Sequence, residues 1–517
     1  MASRVAQRYW QELRQHALAE ACSISRTGLS DPLPASALLR RDTRLLRRLE
    51  ELAVDARTTP DRRASFLDLH GSHDEALAVL ESGRDAPRPR GAGPARRLLQ
   101  EIIGRHAQFA AERQRRLAEE EGRGGGADSA RPVEVLDAAA TSTEEVAERF
   151  VRRGLPCVLR GAPSVPLWTP HELKERLGSL RVPLRRCENS STSWARLEFA
   201  GSVPFSEYFA EHIEPALGAD YAKAKKRNTA PQLFDFSIWQ FCADTLGEEV
   251  LMPSCFPVDL YTHCSSQVQP VSGSASPTLF LAASGTSSGL HVDFLQTHFW
   301  MGLCHGRKRW RLVPREDLPL LYPRYLADLN PVFPMDLDEA SKASTEPESA
   351  FPAARLLTVY EVVLQPGDLI FVPCGWPHQV ENLETTVAVS ANFIDESNLA
   401  ASRHEAELLG LVQEDPHYLA EMLRKAEAVG LPEQLRAAAA KAVAEAGPAW
   451  KGEPLRAFKA RHGETRAPYE TQAMVTRAAQ AFALGGLVLC TVGALSLWRR
   501  VSSQPQAVPQ ERGGGPP

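Results

Sequence analysis

The chain has 517 residues, of which 43% are hydrophobic and 24% charged, a mixture typical of globular proteins rather than of disordered or fibrous ones. The length predicts two or three folded units with linkers. A formal net charge of -5 provides no basic field to attract phosphates, so nucleic acid is not expected as the principal partner. The nine cysteines form no C-x-x-C pair, which argues against a structural zinc site.

Residues 1–120 carry apolar side chains at helical spacing, and this pattern predicts a helical N-terminal region. One such pattern covers Leu39 to Leu52, and another helix is predicted from about Leu98 to Glu120. Residues 121–132 are rich in glycine, and we expect a flexible linker there. The first residues show no apolar segment typical of a secretory signal, so the expected compartment is cytosolic and its thiols reduced.

Residues 133–398 contain short runs of β-forming residues separated by glycine and proline, which predict an antiparallel sandwich or barrel. The clearest runs are Leu155 to Leu159, Thr278 to Ala282, Arg309 to Val313, Leu369 to Val372 and Val387 to Phe393. Residues 399–470 are rich in alanine, glutamate and lysine, and this composition predicts a helical C-terminal region.

Residues 481–498 (AFALGGLVLCTVGALSLW) carry no charge and are followed by Arg499 and Arg500. As a helix they would be about 27 Å long at about 1.5 Å per residue, close to the roughly 30 Å hydrocarbon thickness of a bilayer. We therefore predict a transmembrane tail anchor with the preceding domains in the cytosol, the alternative being a buried helix. Residues 501–517 are rich in proline, glutamine and glycine, which predicts a disordered tail.

Four H-x-D or H-x-E triplets occur in the chain, and one of them stands out as a candidate metal site. His291 and Asp293 lie in a β-rich stretch, where residues two apart project to the same side and can reach one ion. His378, after a turn-rich run, is the candidate third ligand. Two imidazoles and one carboxylate leave open positions on an octahedral ion, an arrangement typical of non-haem iron(II) oxygenases.

The other three triplets begin at His73, His212 and His462, in segments predicted to be helical or polar. Residues two apart on a helix do not share a face, so we interpret these triplets as surface polarity. His298 and His305 are interpreted as ordinary strand or turn residues, and Cys374 as a small packed residue.

Two segments carry a resemblance to a known family. They are Gly289 to Pro314 (GLHVDFLQTHFWMGLCHGRKRWRLVP) and Pro366 to Phe393 (PGDLIFVPCGWPHQVENLETTVAVSANF). Both resemble the signature regions of the JmjC, or cupin-like, oxygenases, and especially the subgroup described as arginine demethylase and lysyl hydroxylase. GLPCVLRGAP at Gly154 to Pro163 and PQLFDF at Pro231 to Phe236 are also similar to that subgroup. The resemblance covers about residues 133–393.

This resemblance implies an α+β protein: a double-stranded β-helix, or jelly-roll cupin barrel, flanked by the helical regions and the transmembrane helix. It implies Fe(II) and 2-oxoglutarate as cofactors, with His291, Asp293 and His378 as metal ligands and catalytic centre. Lys308 would pair with the distal carboxylate of 2-oxoglutarate, because a buried lysine needs a counter-anion. Ser390 and Ser288 match hydroxyl positions near the cofactor.

One position departs from the family pattern. Close relatives usually carry an asparagine that contacts the cofactor where this chain has Met301. A thioether cannot replace two amide donors, so a lower affinity for 2-oxoglutarate is expected.

The expected reaction is hydroxylation of a protein side chain by dioxygen, or demethylation through hydroxylation. The insertion from Arg315 to Leu357 is either a rim that recognises this protein substrate or a solvated excursion. Two alternatives stay open: a membrane-tethered binding protein with an inactive barrel, and a cupin-fold metal enzyme of another kind. The sequence predicts no oligomeric state.

Overall fold

The structure is a computed structural model of the chain. It describes residues 5–14, 59–69, 71–83, 92–121, 130–188, 191, 193–218, 230–267, 277–326, 328–343, 351–446 and 454–455. The predicted span at 481–498, the tail at 501–517, most of the linker at 121–132 and the amphipathic pattern at 39–52 lie outside the described residues. None of the helices that are described combines the length and apolar character needed to cross a bilayer.

Fourteen strands make up the β-structure of the described ranges. They are β1 Arg131–Pro132, β2 Glu134–Asp137, β3 Cys157–Arg160, β4 Arg181–Cys187, β5 Leu197–Pro204, β6 Gln232–Ser237, β7 Thr278–Ala282, β8 Ser287–His291, β9 His298–His305, β10 Lys308–Leu312, β11 Tyr360–Leu364, β12 Leu369–Val372, β13 His378–Asn382 and β14 Thr386–Phe393. Strands β7 and β12 have the bounds predicted from the sequence, and β3, β10 and β14 differ from theirs by one or two residues.

The strands form two sheets that face each other as a jelly-roll barrel. The smaller sheet has the order β1-β11-β10-β13-β8, and the larger has the order β2-β3-β12-β9-β14-β7-β6-β4-β5. Side chains of both sheets meet in one buried cluster, which includes Trp310 and Val380 from the smaller sheet and Phe280, Phe299 and Met301 from the larger. This interior cluster forms much of the lining of the candidate site.

Nine helices of seven or more residues surround the barrel in the described ranges from residue 59 onward. They are α1 Pro60–Leu69, α2 His73–Ser82, α3 Ala92–Glu121, α4 Pro170–Leu177, α5 Leu260–Gln267, α6 Leu337–Ala343, α7 Leu399–Gly410, α8 Glu414–Ala428 and α9 Leu431–Ala446. Residues 5–14 are also helical. Shorter helical segments cover Thr143–Val146, Ala147–Val151, Trp194–Arg196, Phe205–Tyr208, Phe209–Ile213, Glu214–Ala216, Ile238–Phe241, Ala243–Leu246, Phe294–Gln296, Arg315–Leu321 and Pro352–Leu356.

The N-terminal and C-terminal helices pack together in one apolar cluster beside the barrel. Leu98 and Ile102 of α3 lie in the same buried cluster as Leu419 and Leu423 of α8. Leu295, two residues after the candidate ligand Asp293, belongs to this cluster as well. The helical regions, predicted as separate segments, therefore support the loop that carries one of the candidate ligands.

Candidate metal and cofactor site

The three predicted ligands meet at the end of the smaller sheet. Strand β8 ends at His291, β13 begins at His378, and the two residues are direct partners in the antiparallel register. Their ring centres lie 4.2 Å apart. Asp293 follows in extended backbone, and one donor atom from each of the three buried residues lies within 4.8 Å of the others.

Hydrogen bonds fix which ring nitrogen of each histidine is free. Nδ1 of His291 donates to the carbonyl of Gly289 at 2.7 Å, and Nδ1 of His378 donates to that of Trp376 at 3.0 Å. Each Nε2 therefore keeps its lone pair for a metal. Burial lowers the pKa of His378 to about 4, and burial with the neighbouring His378 holds the pKa of His291 well below its usual range. Both rings are thus neutral at physiological pH, the form that binds metals.

Asp293 completes a donor set that fits iron(II). Burial raises the pKa of Asp293 to about 7, although a hydrogen bond with the Asn392 side chain opposes this rise. No lysine or arginine of the described residues pairs with this carboxylate, so none of them compensates its charge. Two neutral imidazoles and one carboxylate on adjacent positions match the ligands of non-haem iron(II) sites. A divalent cation would relieve the cost of burying the carboxylate.

The loop after Asp293 is held in an unusual conformation. Leu295 and Gln296 have φ values of +54° and +51°, a region that costs non-glycine residues about 1–3 kcal/mol each. The Gln296 side chain donates to Glu405 of α7 at 3.1 Å, and Glu405 pairs with Arg105 of α3 at 3.0 Å. Gly375, with φ +75°, passes close to Gln296, since an added Cβ would lie 3.1 Å from its Oε1. The helices thereby fix the ligand loop.

Residues predicted to contact 2-oxoglutarate fall into two groups. Lys308 and Ser288 line a narrow cavity of about 50 Å³ together with the three metal-site residues and Met301. Burial lowers the pKa of Lys308 to about 8, and its Nζ lies 5.8 Å from the ring centre of Phe280. No described carboxylate pairs with it. A carboxylate of a bound ligand would supply the missing anion.

Ser390 is placed differently from Lys308. It lies on β14 opposite Met301, it is 1% exposed, and its hydroxyl is 3.2 Å from that of Thr278. It is not among the residues lining the cavity. Its predicted contact with the cofactor therefore stays a prediction.

The structure also brings in residues that the sequence reasoning missed. The Trp194 indole donates to the carbonyl of Val292 at 2.8 Å, and its ring meets the His291 ring edge-on at 4.6 Å. Asn392, which hydrogen-bonds Asp293, also donates to Thr297 at 2.9 Å. Asp235 lines the same cavity. Asn392 and Asp235 lie inside the quoted family segments, but only the tertiary fold shows what they face.

A wider cleft opens on the outer side of Asp293. Its volume is about 330 Å³, and it shares Asp293 with the inner cavity. Arg315, Glu316, Leu318, Tyr325, Leu329 and Pro331 of the insertion contribute to its walls. Part of the insertion therefore borders the approach to the candidate metal site.

A second cluster of histidine and aspartate lies in the helical region. Asp68 Oδ1 accepts from Nδ1 of His73 at 2.9 Å and from Nδ1 of His106 at 2.7 Å. The interpretation of His73 as surface polarity was wrong, because its ring is 9% exposed and packs against His106. The ring lies against α3, and the periodicity around His73 gives no sign of that partner.

Two features make this second cluster unsuitable for a metal. The backbone N–H of Tyr325 donates to Nε2 of His106 at 2.9 Å, so the neutral ring carries its proton on Nδ1 and has no lone pair left. Arg14 lies 3.9 Å from Asp68 and supplies positive charge. Burial opposes ionisation of Asp68, but its imidazole partners hold its pKa well below the usual range. We assign the cluster a structural role, joining helices α1 to α3 to the insertion.

A jelly-roll barrel with two histidines and one aspartate at its mouth defines a cupin-type metalloprotein. Residues 143–398 match the family model described as a cupin-like domain. Together with the relatives below, this match shows that the chain belongs to the cupin-like, JmjC-type oxygenase family.

Several curated proteins are similar to parts of the chain. The arginine-specific demethylase JMJ20 of Arabidopsis thaliana is 34% identical over 122 residues, which is 24% of each chain. The 2-oxoglutarate and iron-dependent oxygenase JMJD4 of Mus musculus is 23% identical over 51% of this chain and 61% of its own length. The bifunctional arginine demethylase and lysyl-hydroxylase psr-1 of Caenorhabditis elegans is 23% identical over 52% of this chain and 62% of its own length. The chain thus spans between a quarter and three fifths of these relatives.

Proposed function

We propose that this protein is an iron(II)- and 2-oxoglutarate-dependent dioxygenase that hydroxylates a protein side chain, or demethylates it through hydroxylation. One observation carries the proposal: two neutral histidines, one aspartate and a buried lysine that has no carboxylate partner among the described residues all line the same cavity. When bound, the iron with 2-oxoglutarate supplies oxidation of a substrate C–H bond by dioxygen, while 2-oxoglutarate becomes succinate and carbon dioxide.

The chain's own residues would bind and orient the reactants. His291, Asp293 and His378 would hold the ion, and Lys308 would hold the distal carboxylate of 2-oxoglutarate by a charged hydrogen bond. Trp194 and Phe299 wall the cavity with apolar surface, which excludes water from the reacting centre. The outer cleft is the expected path for the substrate side chain.

The proposed substrate is a protein side chain that carries a positive charge. The names of two relatives, an arginine-specific demethylase and a bifunctional arginine demethylase and lysyl-hydroxylase, support this class. The insertion beside the outer cleft would contribute recognition of the surrounding polypeptide.

Succinate release tests the activity directly. The purified full chain with Fe(II), ascorbate and 2-oxoglutarate should release succinate, and Asp293→Ala should not. Met301 in the cavity wall favours the alternative of an inactive binding barrel. Wild-type protein that contains iron and yet turns over no 2-oxoglutarate would support that alternative and contradict the proposed activity.

We also propose that residues 481–498 form a tail anchor that leaves the catalytic domain facing the cytosol. The uncharged segment followed by Arg499 and Arg500 supports the anchor. The seven cysteines in the described ranges are free thiols, as expected in a reducing compartment. Deleting residues 481–517 should move the protein from carbonate-washed membranes to the soluble fraction with activity retained. A full-length chain found in the soluble fraction would contradict the anchor.

A further inference from the structure

Asp235 is a second carboxylate in the wall of the metal cavity. It lines the cavity together with Asp293, but it does not belong to the group of residues whose donor atoms could share an ion. Its side chain is exposed, whereas its neighbour Phe236 on the same strand is 1% exposed. The proposed function gives roles to the metal ligands and to Lys308, but none to this carboxylate.

A bulge in strand β6 turns Asp235 toward the cavity. Leu233 pairs with Leu281 and Phe236 with Leu279, so three steps along β6 face two steps along β7. Asp235 lies within this bulge. Its φ of +58° is in the left-handed region, which residues with side chains rarely adopt. Bulges of this kind re-aim side chains next to active sites.

The carboxylate keeps most of its acceptor capacity. Thr278 donates one hydrogen bond to it, and a carboxylate has about four acceptor positions. Arg185 on β4 acts on Asp235 through its charge, but no ion pair of Asp235 exists within the part of the chain that the structure describes. An anionic group in this setting favours a cationic ligand.

Aromatic rings line the same cavity as Asp235. Phe234 lies 6.0 Å from the Trp194 ring and 4.7 Å from the Phe280 ring, centre to centre, and all three line the cavity. Ring faces attract guanidinium and ammonium groups. Lys308, the cation of the same cavity, stands on the opposite sheet, so the cavity offers an anion site and a cation site on different walls.

We propose that Asp235 is the residue that recognises the cationic end of the substrate side chain, a guanidinium or an ammonium group. This inference rests on the proposed oxygenase function and names the specificity determinant of that site. The substrate would present its charge to Asp235 and the adjoining carbon to the metal position.

The test compares peptides that differ in one charge. The full chain, loaded with zinc in place of iron and with 2-oxoglutarate, is titrated with pools of synthetic peptides centred on arginine or lysine. Matched pools carry citrulline or norleucine at the centre. Wild type should bind the cationic pools about tenfold or more tightly than the neutral ones, and Asp235→Asn should lose this preference.

Two variants control the result. Asp235→Glu retains the charge and should keep a preference for the cationic pools, and Asp244→Asn, an exposed helix residue, should behave as wild type. Equal binding of charged and neutral pools by wild type, or an unchanged preference in Asp235→Asn, would overturn the inference. The oxygenase function is tested separately by peptide-independent succinate release from the iron-loaded wild type, which does not depend on the binding preference.

Discussion

The two buried clusters of histidine and aspartate contain the same residue types and differ in what their atoms already bind. In the barrel, each Nδ1 donates to a backbone carbonyl, and the Asp293 carboxylate has no cationic partner among the described residues. In the helical region, both Nδ1 atoms donate to Asp68, and Arg14 stands beside it. The comparison shows that the hydrogen-bond and charge partners of such a cluster, rather than its residue types, decide whether it can bind a cation.

The largest expected effect is loss of turnover when a ligand of the barrel cluster is removed. Asp293→Ala or His378→Ala should lower succinate release more than about 100-fold, since even groups behind metal ligands contribute about 10- to 100-fold. Asp68→Asn, measured in the same assay, should retain turnover. Turnover that survives Asp293→Ala would remove the basis for distinguishing the two clusters.

Replacing the aspartate of each cluster by asparagine should have opposite effects on the stability of the metal-free protein. Asp68→Asn breaks a buried charge cluster and leaves Arg14 without its partner, at a cost of roughly 3–5 kcal/mol in the free energy of unfolding. Asp293→Asn should cost nothing or stabilise. Burial raises the pKa of Asp293 to about 7, so the folded state loses stability as pH rises above the unfolded pKa, and the asparagine removes that loss.

Urea unfolding of the chelator-treated full chain measures both changes. The Asp293→Asn difference should shrink as the pH falls from 7 toward 4, where the native carboxyl is protonated as well. If Asp293→Asn destabilises the metal-free protein as much as Asp68→Asn does, the barrel carboxylate has a cationic protein partner after all.

A smaller effect concerns the buried cations of the two regions. Arg14 has a carboxylate beside it, whereas Lys308 has none among the described residues. We expect a carboxylate of 2-oxoglutarate to be the partner of Lys308. Lys308→Ala should weaken 2-oxoglutarate binding by about 1.5–3 kcal/mol, roughly 10- to 150-fold, and Lys308→Arg by much less. Calorimetric titration of the zinc-loaded protein measures this, and equal affinity in wild type and Lys308→Ala would refute the role.

The smallest expected effect comes from restoring an amide in the cavity wall. Met301 is 3% exposed and lies opposite Ser390 in the sheet. Met301→Asn adds donors toward the cofactor and should tighten 2-oxoglutarate binding by about 1 kcal/mol, or roughly fivefold. Weaker binding in this variant would mean that the thioether packs a cavity that no longer accommodates the amide.

Much of the barrel was predictable because its strands carry local signals. β7 and β12 have the predicted bounds, since β-forming residues fill them and turn residues end them. Alternation placed His291 and Asp293 on one side, although His291 ends strand β8 and Asp293 lies two residues beyond it. The partnership of His291 with His378 depends on the register between two strands 87 positions apart along the chain, which no local pattern encodes.

What escaped prediction depends on tertiary contacts. His73 has the spacing of a surface residue, but its ring packs against α3 and its Nδ1 reaches Asp68. Asp235 faces the cavity because of a bulge, which alternation along β6 would not reveal. Ser390 was matched to a cofactor role by family resemblance, and this stays a prediction, because its hydroxyl lies beside Thr278 and the residue is not among those that line the cavity.

The most direct test of the distinction between the two clusters is anaerobic titration of Fe(II) into the metal-free full chain, with the number of bound ions per chain as the readout. We expect one ion per chain in wild type, none in Asp293→Ala and one in Asp68→Asn. Two ions per chain in wild type, or a single ion that is lost in Asp68→Asn and retained in Asp293→Ala, would contradict the assignment of the metal to His291, Asp293 and His378.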